Sequence, residues 1–214
     1  MTVILVVLTI AVFLTVDWLI HRGKAPLAVK ATASPAVRMP GGVFFARSHT
    51  WLNLFPSGHA WLGIDDFVSR LLDKPVLRYR VAAGARVERG APLVELAEGG
   101  RSLTIRSPID ARVVRVNPDL SANPDVLQNA PFSESWVCEL VPERPEDLKS
   151  LLLGTESQNW MQREFARLRD LFAGAGGVLE PAMLQDGGPP VAGAMRLVDE
   201  SVWKRFDEEF LAVD

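Results

Sequence analysis

Few side chains in this chain of 214 residues have a type and spacing that could do chemistry. Cys138 is the one thiol, set in Trp136-Val-Cys-Glu-Leu140 with no histidine close in sequence, so it is expected to be small apolar filler in a strand and not a nucleophile. A lone thiol excludes an intrachain disulfide and fits a reducing compartment. His49 and His59, with Asp65 and Asp66 nearby, include the residue types of a metal site. They lack the spacing and supporting partners that metal ligands use, so they are expected to be structural, and no metal or other cofactor is assigned. Ser57 in Pro56-Ser-Gly-His59 reads as turn chemistry. There is no nucleophile elbow and no pair of acids in an apolar setting, so no catalytic residue is assigned and the chain is expected not to be an enzyme.

What remains is a stretch from Val81 to Asn117 that centres on the turn Glu98-Gly99-Gly100-Arg101. Leu93 and Val94 precede the turn, and Leu103, Ile105, Ile109, Val113, Val114 and Val116 follow it in the alternation of half-buried strands. Paired glycines supply the positive φ that a two-residue hairpin requires. A second hairpin is expected from His49 to Ile64 around Ser57, with Leu52 facing Leu62 and Leu54 facing Ala60. Asp65-Asp66 should cap a short helix over Phe67 to Leu72, because an aspartate oxygen accepts the free amides of a first turn. Strands are expected over Val76 to Val81 and Trp136 to Val141, and helices from Pro145 and over Glu156 to Phe172. A last amphipathic segment, Val198 to Val213, places Val202, Trp203, Phe206, Phe210 and Leu211 on one face, and Trp203, Phe206 and Phe210 are candidates for binding a partner.

The N-terminus has a different character. Thr2 to Val16 carry no charge and the apolar run extends through Ile20, long enough to span most of a ~30 Å hydrocarbon core as a helix. Residues 1–21 are therefore expected to form a transmembrane helix, with residues 2–20 in the lipid bilayer. Asp17, Trp18, Arg22 and Lys24 would then lie at the membrane interface. The positive charges all follow the run, which argues against a cleaved signal peptide and keeps the remainder on the cytoplasmic side of an inner membrane. Residues 22–42, with Pro26, Pro35 and Pro40, read as a tether. The net charge of -3 and the scatter of the lysines exclude nucleic acid as the main partner.

From His49 to about Leu168 the sequence resembles the H protein of the glycine cleavage system, a relative of lipoyl and biotinyl carrier domains. The resemblance rests on His49-Thr-Trp51; Gly63-Ile64-Asp65-Asp66; Gly84-Ala-Arg-Val-Glu-Arg-Gly90 leading into Pro92-Leu93; Ser107-Pro108-Ile109 with Ala111-Arg-Val-Val-Arg-Val-Asn117; Asn123-Pro124 and Asn129-Ala-Pro131-Phe132; and Trp136 to Leu140. It implies a mainly β barrel-sandwich hybrid with flanking helices over residues 43–173, followed by a C-terminal extension over 174–214. It also implies a lipoyl-bearing lysine about seven residues before the serine of the Ser-Pro pair, which falls on Gly100. No lysine occurs between Lys74 and Lys149, and the Arg101 guanidinium stays protonated and is a poor acyl acceptor. The expectation is a non-catalytic, membrane-anchored accessory or scaffolding subunit that docks on other subunits of a membrane protein complex. The alternatives are a carrier with an unrecognised attachment site and an export-pump adaptor. The adaptor is disfavoured because only a tight turn separates the half-motifs.

Overall fold

In this computed structural model, residues 37–174 and 191–213 are described. The hairpin of β2 (Thr50–Leu54) and β3 (Ala60–Ile64) has the expected register, Leu52 opposite Leu62 and Leu54 opposite Ala60, around a turn in which Gly58 takes φ +83°. Opposite Trp51 stands Gly63, where an added Cβ would lie 2.3 Å from the indole ring. The ring is fixed in that place by its Nε1, which donates to the Ile64 carbonyl at 3.0 Å.

The remaining strands are β1 (Phe44–Phe45), β4 (Val76–Tyr79), β5 (Arg86–Val87), β6 (Pro92–Glu98), β7 (Arg101–Arg106), β8 (Ala111–Val116) and β9 (Trp136–Pro142). They form a six-stranded sheet, β1-β2-β3-β9-β8-β5, and a three-stranded sheet, β4-β6-β7, every pair antiparallel. Of the residues expected to alternate, Leu93, Val94, Leu103, Ile105, Ile109 and Val113 are fully buried, as are Leu62, Leu96 and Leu140, whereas Val114 falls on the outer face of β8 and is exposed and Val116 is half-buried. This is the mainly β architecture with flanking helices that the resemblance implies.

Helix α1 (Asp66–Leu71) starts at Asp65, whose carboxylate accepts the Val68 amide at 3.0 Å, so the expected cap forms. Two short helices, α2 (Pro118–Ala122) and α3 (Val126–Asn129), follow β8. The helix expected from Pro145 forms over Pro145–Ser150 as a 3-10 helix, and it ends where the chain turns at Leu151 to bridge Leu152 to Phe45. Helix α4 (Thr155–Ala173) and helix α5 (Glu200–Phe210) complete the order, and Asp199 caps α5 by accepting the Val202 amide at 3.1 Å.

Two expected boundaries are corrected. The tether does not extend to Gly42: Val37 and Met39 pack on the core, and the Arg38 guanidinium bonds Asp66 at 2.7 Å, Asn129 O at 3.2 Å and Gln128 O. Nor is the C-terminal extension an appendage, since Met195, Val202, Trp203, Phe206, Phe210 and Leu211 belong to the same buried cluster as the strands. The apolar run Thr2 to Ile20, with Asp17, Trp18, Arg22 and Lys24, lies outside the described residues, among which no helix is long and apolar enough to cross a membrane.

Replacing Gly63 by Ala should lower unfolding free energy by about 1–3 kcal/mol, since the buried indole has nowhere to move. Chemical denaturation of the variant checks this.

Candidate functional site

The β6–β7 hairpin closes as its glycines require. Glu98 pairs with Arg101, and Gly99 and Gly100 take φ +59° and +82°, a combination that only the primed hairpin turns use. At Gly100 an added Cβ would meet nothing within 4 Å, so the tip is open to solvent. Its base is held on both sides. The Glu98 carboxylate accepts the amides of Asp73 and Lys74, each at 3.3 Å. Arg101 donates to the Val198 carbonyl and lies over the Trp203 ring, 5.0 Å from its centroid. Clefts of about 310 and 410 Å³ flank the tip, the first lined by Val76, Arg78 and Glu98, the second by Trp203, Asp207 and Glu208.

Helix α5 lies along β7, the end strand of its sheet. Asp207 accepts the Thr104 amide at 2.6 Å and the Arg106 guanidinium at 2.9 Å, while Arg106 returns a bond to the Thr104 carbonyl at 2.9 Å. A carboxylate and a guanidinium thus satisfy edge groups that another strand would otherwise pair. This arrangement overturns one expectation. Trp203, Phe206 and Phe210 are at most 2% exposed, so they do not present a surface to a partner. Phe206 and Phe210 stack on each other at 4.7 Å and on Phe67 at 6.5 and 6.2 Å, and Trp203 Nε1 donates to Met195 O at 2.8 Å. The apolar face of α5 is consumed by its own domain because that is where the open flank of the sheet needs cover.

The two histidines are not brought together. His59 bonds Glu139 at 2.7 Å, and Glu139 also accepts from Arg115 at 2.6 Å; these bonds, His59's first, hold the Glu139 carboxyl below its ordinary range. His49 is buried, with Nδ1 2.7 Å from Asp65 and Nε2 3.6 Å from Glu164, and its ring stacks on Phe67 at 4.4 Å. Burial works against its charged form, but the charge and hydrogen bond of Asp65, with Glu164 adding to them, outweigh it and raise the imidazole to about 9. Glu164 in turn meets Arg167 at 2.8 Å; despite its burial, His49 and then Arg167 hold its carboxyl below the usual range. Arg167 reaches Glu209 O at 2.7 Å and covers Phe210 at 4.5 Å. Sequence reasoning missed Glu164, although a signal existed: it falls on the stripe Trp160, Met161, Leu168 of α4, where a lone acid needs a buried partner. Cys138 is fully buried, and burial pushes its thiol up to about 12, the setting of an unreactive thiol.

With this geometry in place, the comparisons define the class. Residues 43–164 match the family model described as Glycine cleavage H-protein, more than half of the chain. The chain belongs to that family. The glycine cleavage system H protein of Xylella fastidiosa (strain M12) is 28% identical over 114 residues, covering 53% of this chain and 87% of the relative. That of Hydrogenovibrio crunogenus is 28% identical over 120 residues, 56% and 93% of the two chains, and the mitochondrial protein of Oryza sativa subsp. indica is 31% identical over 111 residues, 52% and 67%. The crystal structure of a glycine cleavage system H protein from Mycobacterium marinum superposes with a TM-score of 0.49 at 21% identity, over 56% of this chain and 98% of that one.

The His49 cluster predicts a pH dependence. Its folded pKa lies above the unfolded value of 6.5, so its contribution is complete below about pH 6.5 and is lost as pH rises through about 9. A shift of that size corresponds to about 3 kcal/mol, and denaturation midpoints at pH 6.5 and pH 9.5 should differ accordingly. Glu164 acts at the other end, stabilising above its unfolded pKa and failing as pH falls through its lowered folded value. Separately, Asp207→Ala should cost about 1–3 kcal/mol, because it strands the Thr104 amide and Arg106; thermal unfolding reads this.

Proposed function

We propose that this chain keeps the H-protein fold as a binding body and has given up the carrier role: a non-catalytic accessory subunit, anchored by its N-terminal apolar run, whose domain docks on other subunits of a membrane complex on the cytoplasmic side. One observation carries the reading. The tip of the β6–β7 turn is Gly99-Gly100, no lysine occurs between Lys74 and Lys149, and the only cation of the turn, Arg101, is bound to Val198 O and Trp203. A lipoyl amide needs a lysine amine free at such a tip, and Gly100 stands at the position that the family pattern gives to that lysine.

The surroundings of the tip support docking. Val76 and Leu197, at 59% and 57%, are the most exposed large apolar side chains among the described residues. Val76 pairs with Ala97 just before the turn, and Leu197 precedes the residue whose carbonyl Arg101 holds. Exposed apolar groups around a rigid turn suit burial against a second protein.

Purification of the full chain from its native membrane in mild detergent tests this. A stoichiometric companion should copurify, and Val76→Asp with Leu197→Asp should weaken its retention at least tenfold. A lone monomer would overturn the docking role. Intact mass from lipoate-replete cells should equal the unmodified chain, and an added lipoyl group would restore the carrier reading.

A further inference from the structure

The chain closes two of its sheet edges with its own groups. At β7 the Thr104 amide and carbonyl are taken by Asp207 and Arg106, and at β1 Phe45 exchanges amide and carbonyl with Leu152, at 2.8 and 2.7 Å. β4, the opposite edge of the three-stranded sheet, is not closed in this way. Its register sets Val76 against Ala97 and Tyr79 against Val94, and Arg80 N donates to Leu93 O at 2.8 Å. Alternate residues of an antiparallel ladder bond inward, so Val76, Arg78 and Arg80 pair with β6, and the amides and carbonyls of Leu77 and Tyr79 point away from it. Those four main-chain groups have no partner among the described residues. A row of unpaired main-chain groups is a template for another strand.

The side chains beside that row indicate what the added strand should carry. Val76, Arg78 and Arg80 share the outer face and are exposed. Arg78 stands across from Glu95, yet both Glu95 oxygens accept from Arg80 at 2.6 Å, and Arg78 has no ion pair among the described residues. Glu98, which lines the cleft beside the tip together with Val76 and Arg78, is engaged by the amides of Asp73 and Lys74. A carboxylate on a cross-strand neighbour would pair with Arg78, and an apolar side chain two residues away would cover Val76.

We propose that β4 receives an extended segment of a neighbouring subunit, which pairs with Leu77 and Tyr79 as a fourth strand of this sheet and sets an acidic side chain against Arg78 and an apolar one against Val76. This rests on the docking reading above and adds to it the mode of contact and the chemistry of the partner segment. Main-chain hydrogen bonds hold the added strand. The Arg78 pair fixes its register, because a slip of one residue would turn the acid to the inner face.

Hydrogen exchange at single-residue resolution tests this, comparing the full chain in the complex purified from its native membrane with the same chain separated from its companion. The Leu77 and Tyr79 amides should exchange about tenfold or more slowly in the complex, while those of Arg78 and Arg80, already bonded to β6, change less. Arg78→Glu should weaken retention of the companion about tenfold, with unchanged thermal unfolding of the separated chain. A companion that stays bound while Leu77 and Tyr79 exchange as in the separated chain leaves docking standing and overturns strand addition. Undiminished retention in Arg78→Glu overturns the acidic partner. Protection that rises with the concentration of the separated chain assigns the edge to a second copy and overturns the proposal, and the absence of any companion overturns both it and the docking role.

Discussion

A buried imidazolium between two carboxylates ties together parts of the chain that are far apart in sequence. His49 opens the β2–β3 hairpin, Asp65 caps α1, and Glu164 sits on α4, with Arg167 passing the connection on to α5. Each of these charges would be expensive alone in an apolar setting, so none can leave without stranding the others. Such a cluster makes the hairpin, the first helix and the C-terminal helices one cooperative body. It also explains why the C-terminal third of the chain cannot be treated as an accessory to a complete β core. The aromatic rings of Phe67, Trp160 and Phe210 that surround the imidazole come from three different helices.

The β6–β7 turn shows a second kind of constraint. Backbone geometry, not side-chain chemistry, fixes its tip, while side chains fix its base: Glu98 against the Asp73 and Lys74 amides, Arg101 against Val198 and Trp203. The same helix that receives Arg101 also closes the edge of β7 through Asp207. Turn, edge strand and final helix therefore form one mechanical unit, and the turn holds its position relative to the sheet.

Much of this was legible in the sequence wherever a local rule governs. The register of the β2–β3 hairpin followed from alternation and the Pro56-Ser57-Gly58 turn, the α1 cap from Asp65, and the β6–β7 turn from its glycine pair. What was not legible depends on partners brought from afar. Trp203, Phe206 and Phe210 form an amphipathic stripe that reads the same whether it meets another protein or the chain's own sheet, and only the uncovered flank of β7 decides between them. Glu164 looked like one more helix carboxylate until His49 stood opposite it, more than a hundred residues away in sequence. The helix expected from Pro145 is present, but as a 3-10 helix of six residues that ends where the chain turns to the Phe45–Leu152 bridge.

The Arg38 clamp gives the domain a defined point of mechanical attachment. Its guanidinium and amide engage Asp66 while two further contacts reach the last turn of α3, so the segment entering the domain is gripped before the first strand begins. Asp66 is also held by Arg70, and these bonds, Arg38's first, keep its carboxyl ionised despite burial. Arg38 thereby links the residues ahead of β1 to α1 and α3 directly, independently of the pairing of β1 with β2. β1, like β5, pairs through only two residues, so this clamp adds a hold on the chain ahead of β1 that the strand itself does not supply.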